Sequence, residues 1–412
     1  MSTQVLDDER TTARKVSFSK SATIVDVETK LEKAFLTSNS FSESIESLEL
    51  DFSSSEYIEV VSLVFIIALV ANRAKRGLHT KIRLPLRKKT RDFLRVWQFP
   101  DAIRRATRIP FAELVCKEDL RYFGENLSED QTEYLPTTFD RAIGRLLSDR
   151  FFAIQTLALD PSFSGLQLVL AESNRWENRL VKSVLSKHLS GPEGYLASRI
   201  VFESMTNAIR HSAARIIQTA SRFAASGEDQ GGSVGQFTVI YWDDGQSMIE
   251  TLKSAIRGGK TIRSEAVPPA VFSYRVIEEL SDQKRTEKLF HSTFTPDSSA
   301  EDHLLLFATI LPGITRDVEG KNLLVHRRLK DDMPSYTGPG MGLYVLVNTV
   351  VDVFGGSLSF RTGEYFMNIK KAFARDREAK YRVKIKSYDK IVPSFLGNML
   401  TIRLPISQEQ EQ

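Results

Sequence analysis

Cysteine is nearly absent. Cys116 is the only one in 412 residues, which excludes an intrachain disulfide and any zinc site built on thiolates. No apolar run is long. The most hydrophobic stretch, VVSLVFIIALVA at 60–71, holds 12 residues, well short of the ~20 that span a bilayer. It reads as a buried helix, and no transmembrane segment is expected. The opening MSTQVLDDERTTARK lacks the apolar core of a secretory signal, so a cytoplasmic location is the expectation. Excess charge of one sign is also scarce. A net charge of +4 is too small to argue for nucleic acid, which is not expected as a partner. No internal repeat is present, which excludes a solenoid.

What is there is a chain long enough for two or three domains, with 42% hydrophobic residues to build cores. Residues 1–14 read as a polar tail. From 15 to 108 the order is strand, helix, strand, helix: SIESLELDFSS, then EYIEVVSLVFIIALVANRAKRG closed by Gly77, then HTKIRLPL, then KKTRDFLRVWQF. This is an α/β pattern. Residues 109–144 are mixed and partly acidic and read as a connector. RFFAIQTLAL reads as a strand, and residues 171–190 as a helix. QFTVIYWDDG is a strand entering a tight turn. Residues 246–337 read as long and irregular. TGPGMGLYVLVNTVVDVFGG is a Gly-rich turn opening a helix, and SLSFRTG, YRVKIKSY and NMLTIRLPI are strands.

Three segments carry chemistry. FESMTNAIRHS, 202–212, is helical with an unusual polar side. At about 100° per residue, Val201, Phe202, Met205, Ala208 and Ile209 form an apolar face, while Glu203, Asn207 and His211 recur every four residues on the other. Side chains one turn apart are neighbours. A carboxylate can polarise a water, and an amide oxygen can hold a hard cation such as Mg²⁺. The second segment is YWDDGQSM, 241–248, at a strand's end. There Asp243 can accept from an exocyclic amine, and Gly245 lets a flat ring approach the backbone. The third is GPGMGL, 338–343, directly before an apolar helix. Its glycines allow a backbone wrap whose N–H groups can cradle phosphates. Singly these are ordinary features: a Gly-rich turn, a solvated helix face, a loop turn. In this order, with strands around them, they stop looking accidental.

With those motifs, residues 145–408 resemble a GHKL-type ATPase domain, the Bergerat fold of gyrase B, MutL, sensor histidine kinases and anti-sigma-factor kinases. ESMTNAIRH matches the N-box, DDGQSM the first glycine box, GPGMGL the second, and GNMLTIRLP at 397–405 the closing strand. The resemblance implies a two-layer α/β sandwich with a long lid insertion at 246–337, binding ATP and Mg²⁺. It implies that Asn207 ligates Mg²⁺ and that Glu203 stands where hydrolytic members place a general base. Asp243, beside Gly245, would read the adenine amine. Gly338, Gly340, Met341, Gly342 and Leu343 would wrap the phosphates. Asn398 stands where a Thr normally helps hold the adenine, and His211 matches a position near the phosphates. Ser247 replaces the second glycine of the first box and is expected to stiffen the lid hinge. Arg257, Lys260 and Arg263 are read as solvated charges in preference to phosphate contacts.

Residues 48–84 are similar to a STAS domain, the fold of anti-sigma-factor antagonists, with Asp51 at the matching strand end. Val60 and Val61 replace that family's phosphorylatable Ser pair. The expected fold class is therefore α/β (α+β): a STAS-like domain at 15–108, a connector at 109–144, a Bergerat domain at 145–408 and a tail at 409–412. The basic stretch KIRLPLRKKTR, 81–91, with Arg95, Arg104, Arg105 and Arg108, reads as a solvated helix and loop face. None of the six His residues sits in a phosphoacceptor-type helix. The expected function is an ATPase or nucleotide-gated switch that signals to a protein partner through the STAS-like domain. A serine kinase acting on a partner in trans and a non-catalytic nucleotide-binding module are the alternatives. Homodimerisation is left open.

Overall fold

The computed structural model describes residues 14–36, 45–122, 151–159, 189, 191–211, 214–225, 234–260, 262–263, 271–280, 285–315, 342–374, 376–388 and 397–407. The chain separates into two compact units, residues 1–95 with 99–137, and 96–98 with 138–412. The architecture is mixed α/β, with helices and a large mixed sheet.

The first unit is built on three parallel strands in the order β1 (Arg14–Ser17), β3 (Ser47–Asp51), β5 (His79–Arg83). Register aligns Val16 with Leu50 and Leu50 with Ile82, so one row of apolar side chains crosses the sheet. β2 (Ser21–Ala22) and β4 (Tyr57–Ile58) pair separately. Helix α1 (Ile24–Leu36) starts at a reciprocal cap: Asp26 N donates to Thr23 Oγ1 and Thr23 N to Asp26 Oδ2, each at 3.3 Å. Helix α2 (Val60–Lys75) is buried from Val60 through Arg73, so the apolar run is spent inside the protein. No helix among the described residues is long and apolar enough to cross a membrane. α2 stops at Gly77, whose φ of +72° lets Leu78 N reach back to Arg73 O at 2.9 Å. Three short helices follow: α3 (Lys88–Val96), α4 (Phe99–Thr107) and α5 (Phe111–Leu114). Within the stretch read as a connector, Cys116 N donates to Ile82 O at 3.0 Å, which extends the edge of β5.

Arg73 lies fully buried on α2. Its Nε donates to Thr80 Oγ1 at 2.9 Å, and Nη2 to the carbonyls of Ile45 at 2.9 Å and His79 at 3.0 Å. Burial pulls its guanidinium down to about 10. Arg73→Met should keep the stem and remove the donors. Relief of a buried cation offsets part of the loss, leaving the unit about 2 kcal/mol less stable in urea denaturation. An unchanged midpoint would show that those carbonyls find other partners.

The second unit holds a nine-stranded sheet in the order β10-β9-β13-β12-β11-β14-β8-β7-β6. In chain order the strands are β6 (Phe151–Ala158), β7 (Ile216–Ala225), β8 (Val234–Asp243), β9 (Ser273–Glu279), β10 (Thr286–His291), β11 (Ser357–Thr362), β12 (Tyr365–Lys371), β13 (Tyr381–Ser387) and β14 (Asn398–Ser407). Only β9 with β13 is parallel. Helices α6 (Gly191–His211), α7 (Met248–Arg257), α8 (Asp302–Ala308) and α9 (Gly342–Val347, running on into a π-helical turn at Asn348–Val353) supply the rest.

Alternate residues of each strand share one face, and one core joins the rows Phe237, Val239, Tyr241 and Leu358, Phe360 and Leu400, Ile402, Leu404 to all four helices. The described helices therefore pack on one face of the sheet, and at β8 and β14 the opposite face is buried too, at Ile240, Trp242, Met399 and Thr401. The expectation that 246–337 is an irregular lid needs correction in its described part. That part carries α7, β9, β10 and α8, and β9 lies inside the main sheet between β10 and β13. Lys253 on α7 binds Asp302 on α8 at 2.6 Å, tying the two helices together.

Candidate functional site

α6 packs Ala197, Ile200, Val201 and Met205 into the core, which turns Glu203 and Asn207 away from it. The residue they face is Gly342, the first of α9. A methyl group built on Gly342 would lie 3.3 Å from both polar atoms of the Asn207 amide and 3.5 Å from Glu203 Oε2. The two motifs, 135 positions apart from Asn207 to Gly342, are thus brought into contact, and a larger residue at 342 would press the Asn207 amide aside by a few tenths of an ångström. Asn207 Nδ2 is buried and has no hydrogen-bond partner among the described residues. Amide O and N are assigned, so a flip puts the oxygen in the same place. Leu343 follows, packed partly against the core. Gly338, Gly340 and Met341 lie outside the described residues, as does the side chain of His211, which closes α6.

The second cluster forms where three strands end. Asp243 terminates the row Phe237, Val239, Tyr241; Thr362 terminates Leu358, Phe360; Asn398 opens Leu400, Ile402. Asn398 is opposite Asp243 on β8 and Thr362 on β11. All three lie on the helix-bearing face and are buried. Asn398 Nδ2 donates to Asp243 Oδ1 at 3.1 Å and Oδ2 at 3.3 Å, and to the carbonyl of Gln246 at 2.9 Å. Its Oδ1 accepts from Met248 N at 3.0 Å and Thr362 Oγ1 at 2.8 Å. A primary amide has two donors and two acceptor sites, and these contacts use them all. Asn398 therefore positions Asp243 and the following loop, with no polar capacity left to contact a ligand itself. Gly245 N donates to Asp243 Oδ1 at 3.0 Å, which folds the loop back over the carboxylate.

Gly397 makes this approach feasible. Its φ is +87°, and a methyl there would meet the Asp243 carbonyl oxygen at 1.9 Å. Two positions down the Asp243 row, the Tyr241 phenol is fully buried without a hydrogen-bond partner among the described residues, and burial pushes its ionisation far above the ordinary range.

Ser247 has a definite role. It is the N-cap of α7, and its side chain accepts from Glu250 N at 3.1 Å. Where a second box glycine was expected, the chain starts a helix with an S-x-x-E spacing. Arg263 is committed elsewhere: it donates to Thr295 Oγ1 at 2.7 Å and to the carbonyls of Pro312, Ser292 and Phe294 at 3.0, 3.1 and 2.7 Å. The basic stretch is largely neutralised locally, Lys88 by Asp92 at 2.7 Å, Arg104 and Arg105 by Asp101 at 2.9 and 2.7 Å.

Two participants escaped the sequence. Thr362 precedes an ordinary-looking turn, and its part depends on strand pairing alone. Asp244 accepts from Arg215 N at 2.7 Å and Ile216 N at 2.8 Å, pinning the start of β7 to the turn; the DDG string was its only signal. Comparison with protein-family models, with curated proteins and with solved structures gave no match to this chain.

Proposed function

We propose that residues 145–408 form a GHKL-type ATP-binding domain of Bergerat fold. In this reading the chain is a Mg²⁺-dependent ATPase or nucleotide-gated switch that signals to a protein partner through a STAS-like N-terminal unit. One observation carries it: Glu203 and Asn207 meet at Gly342, where the buried Asn207 Nδ2 has no partner among the described residues. An unpaired buried amide destabilises a fold by about 1–3 kcal/mol, and a ligand that satisfies it explains its retention.

The donor set suits Mg²⁺, a hard cation that takes oxygen ligands. The Asn207 amide oxygen would hold it, and when bound it would neutralise phosphate charge. The remaining work belongs to side chains. Asp243, held by Asn398 and Gly245 N, accepts from the adenine amine. Guanine would present a carbonyl to that carboxylate, an acceptor facing an acceptor. Gly342 admits the phosphates close to the backbone. Glu203, one helical turn from Asn207, takes the proton of an attacking water.

A kinase acting in trans is the competing reading. It gains nothing from this chain's own first unit, where Val60 and Val61 fill the acceptor positions and are buried. The direct test is calorimetry of ATP binding with and without Mg²⁺. Asn207→Ala should lose the metal-dependent gain in affinity, roughly tenfold or more if one charge-assisted contact of about 1.5–3 kcal/mol disappears. Metal dependence equal to wild type sinks the assignment of Asn207.

A further inference from the structure

The sheet has a second face, opposite Asp243, Asn398 and Thr362. On β13 the alternation sends Tyr381, Val383 and Ile385 into the core and Arg382, Lys384 and Lys386 to the other side. On β12 the same alternation turns Phe366, Asn368 and Lys370 outward. Register sets Lys370 opposite Arg382, and Arg382 beside Arg275 on β9, so three cations stand in one row across three strands. Like charges directly opposite destabilise a sheet. Arg275 is answered by Asp376 at 2.8 Å and Glu287 at 3.0 Å, and Lys384 by Glu279 at 2.8 Å. Lys370 and Arg382 have no carboxylate within ion-pair distance among the described residues. Aromatic rings lie among these cations. Phe373 is 53% exposed with the Arg382 guanidinium 5.0 Å from its ring centroid, and half-buried Phe366 is opposite Lys386.

We propose that this face binds a single-stranded nucleic acid. Cations at alternate positions of β13 are about 6.7 Å apart, and an extended sugar–phosphate repeat covers a similar length. The exposed Phe373 ring beside them offers a plane on which a base stacks whatever its sequence. The chemistry favours phosphodiesters over the carboxylates of an acidic peptide. Lys370 and Lys386 carry point charges suited to phosphate, whereas carboxylate recognition draws on the Arg fork. The small net charge of the chain hid this surface, because each cation alternates with a core residue. The proposal is independent of the nucleotide site, which lies on the other face.

The test is fluorescence anisotropy of the full chain with a labelled oligothymidylate of about a dozen nucleotides, titrated over salt. Affinity should fall with a log–log slope of roughly −2 for contacts at Lys370, Arg382 and Lys386. K370Q/K386Q should reduce that slope by about 1.4, and Phe373→Ala should weaken binding roughly tenfold. Both variants should melt with wild type. K88Q, on the paired basic helix, should change nothing. The proposal is overturned by absence of binding at low salt, by equal affinity for polyglutamate, or by folded variants that bind as wild type does. It is equally overturned if K88Q weakens binding as much as the double variant.

Discussion

Glu203→Gln is expected to keep ATP binding and to lose about 10²–10⁴-fold in the rate of phosphate release, the usual contribution of a positioned general base. Gln preserves the length and the hydrogen-bonding reach of Glu, so the contact near Gly342 survives. What is lost is the ability to take a proton. The measurement is single-turnover release of labelled phosphate from γ-labelled ATP, with binding followed separately by calorimetry. Because α6 holds Glu203 and Asn207 one turn apart on a helix packed into the core, the substitution should not move Asn207. Turnover equal to wild type removes Glu203 from the chemistry. A wild-type chain that releases no phosphate but labels a second protein replaces hydrolysis with transfer in trans. Neither reaction, with ATP still bound, leaves a switch.

Gly397→Ala should be among the most damaging single methyl groups in the second unit. The position has a φ of +87°, and the new carbon would fall 1.9 Å from the Asp243 carbonyl oxygen, so backbone must move. Strain of that kind costs about 1–3 kcal/mol by itself, and displacement of β14 breaks the four contacts of Asn398 as well. With the bonds of Asn398 to Asp243, Gln246, Met248 and Thr362 all disturbed, a total near 4 kcal/mol is expected, with ATP affinity lost even in the fraction that folds. Gly363→Ala is the control. It too has a positive φ, +53°, but nothing within 4 Å, so about 1 kcal/mol and unchanged binding are expected. Denaturation of both variants beside wild type decides it; similar losses at the two positions would place the effect in φ alone, not in the contact with Asp243.

The parts of this fold that rest on local pattern were readable. The run from Val60 is buried as its composition demands, and Gly77 ends it. Asp243 and Asn398 fall at strand ends because the alternation in QFTVIYWDD and NMLTIRLP fixes which side chains face the core. What could not be read depends on distant pairing. SYRVIEE alternates too, yet it stands among Pro, Gly and scattered charge, and its parallel partner begins about a hundred positions later, at Tyr381. Thr362 gains its role only because β14 lies beside β11. Arg263 looked solvated because three of its four acceptors are backbone carbonyls, which leave no mark on side-chain pattern.

The pairing of Asp243 with Asn398 also sets a schedule. The two residues are separated by 155 positions, and a ribosome adding about 5–20 residues per second needs roughly 8–30 s to make that stretch. Until then β8 has no β14 beside it, and its hydrogen-bonding edge and apolar row stand open to wrong partners. The nascent chain must be sheltered or remain uncollapsed through that interval, and the cluster of Asp243, Thr362 and Asn398 comes into being only when β14 emerges.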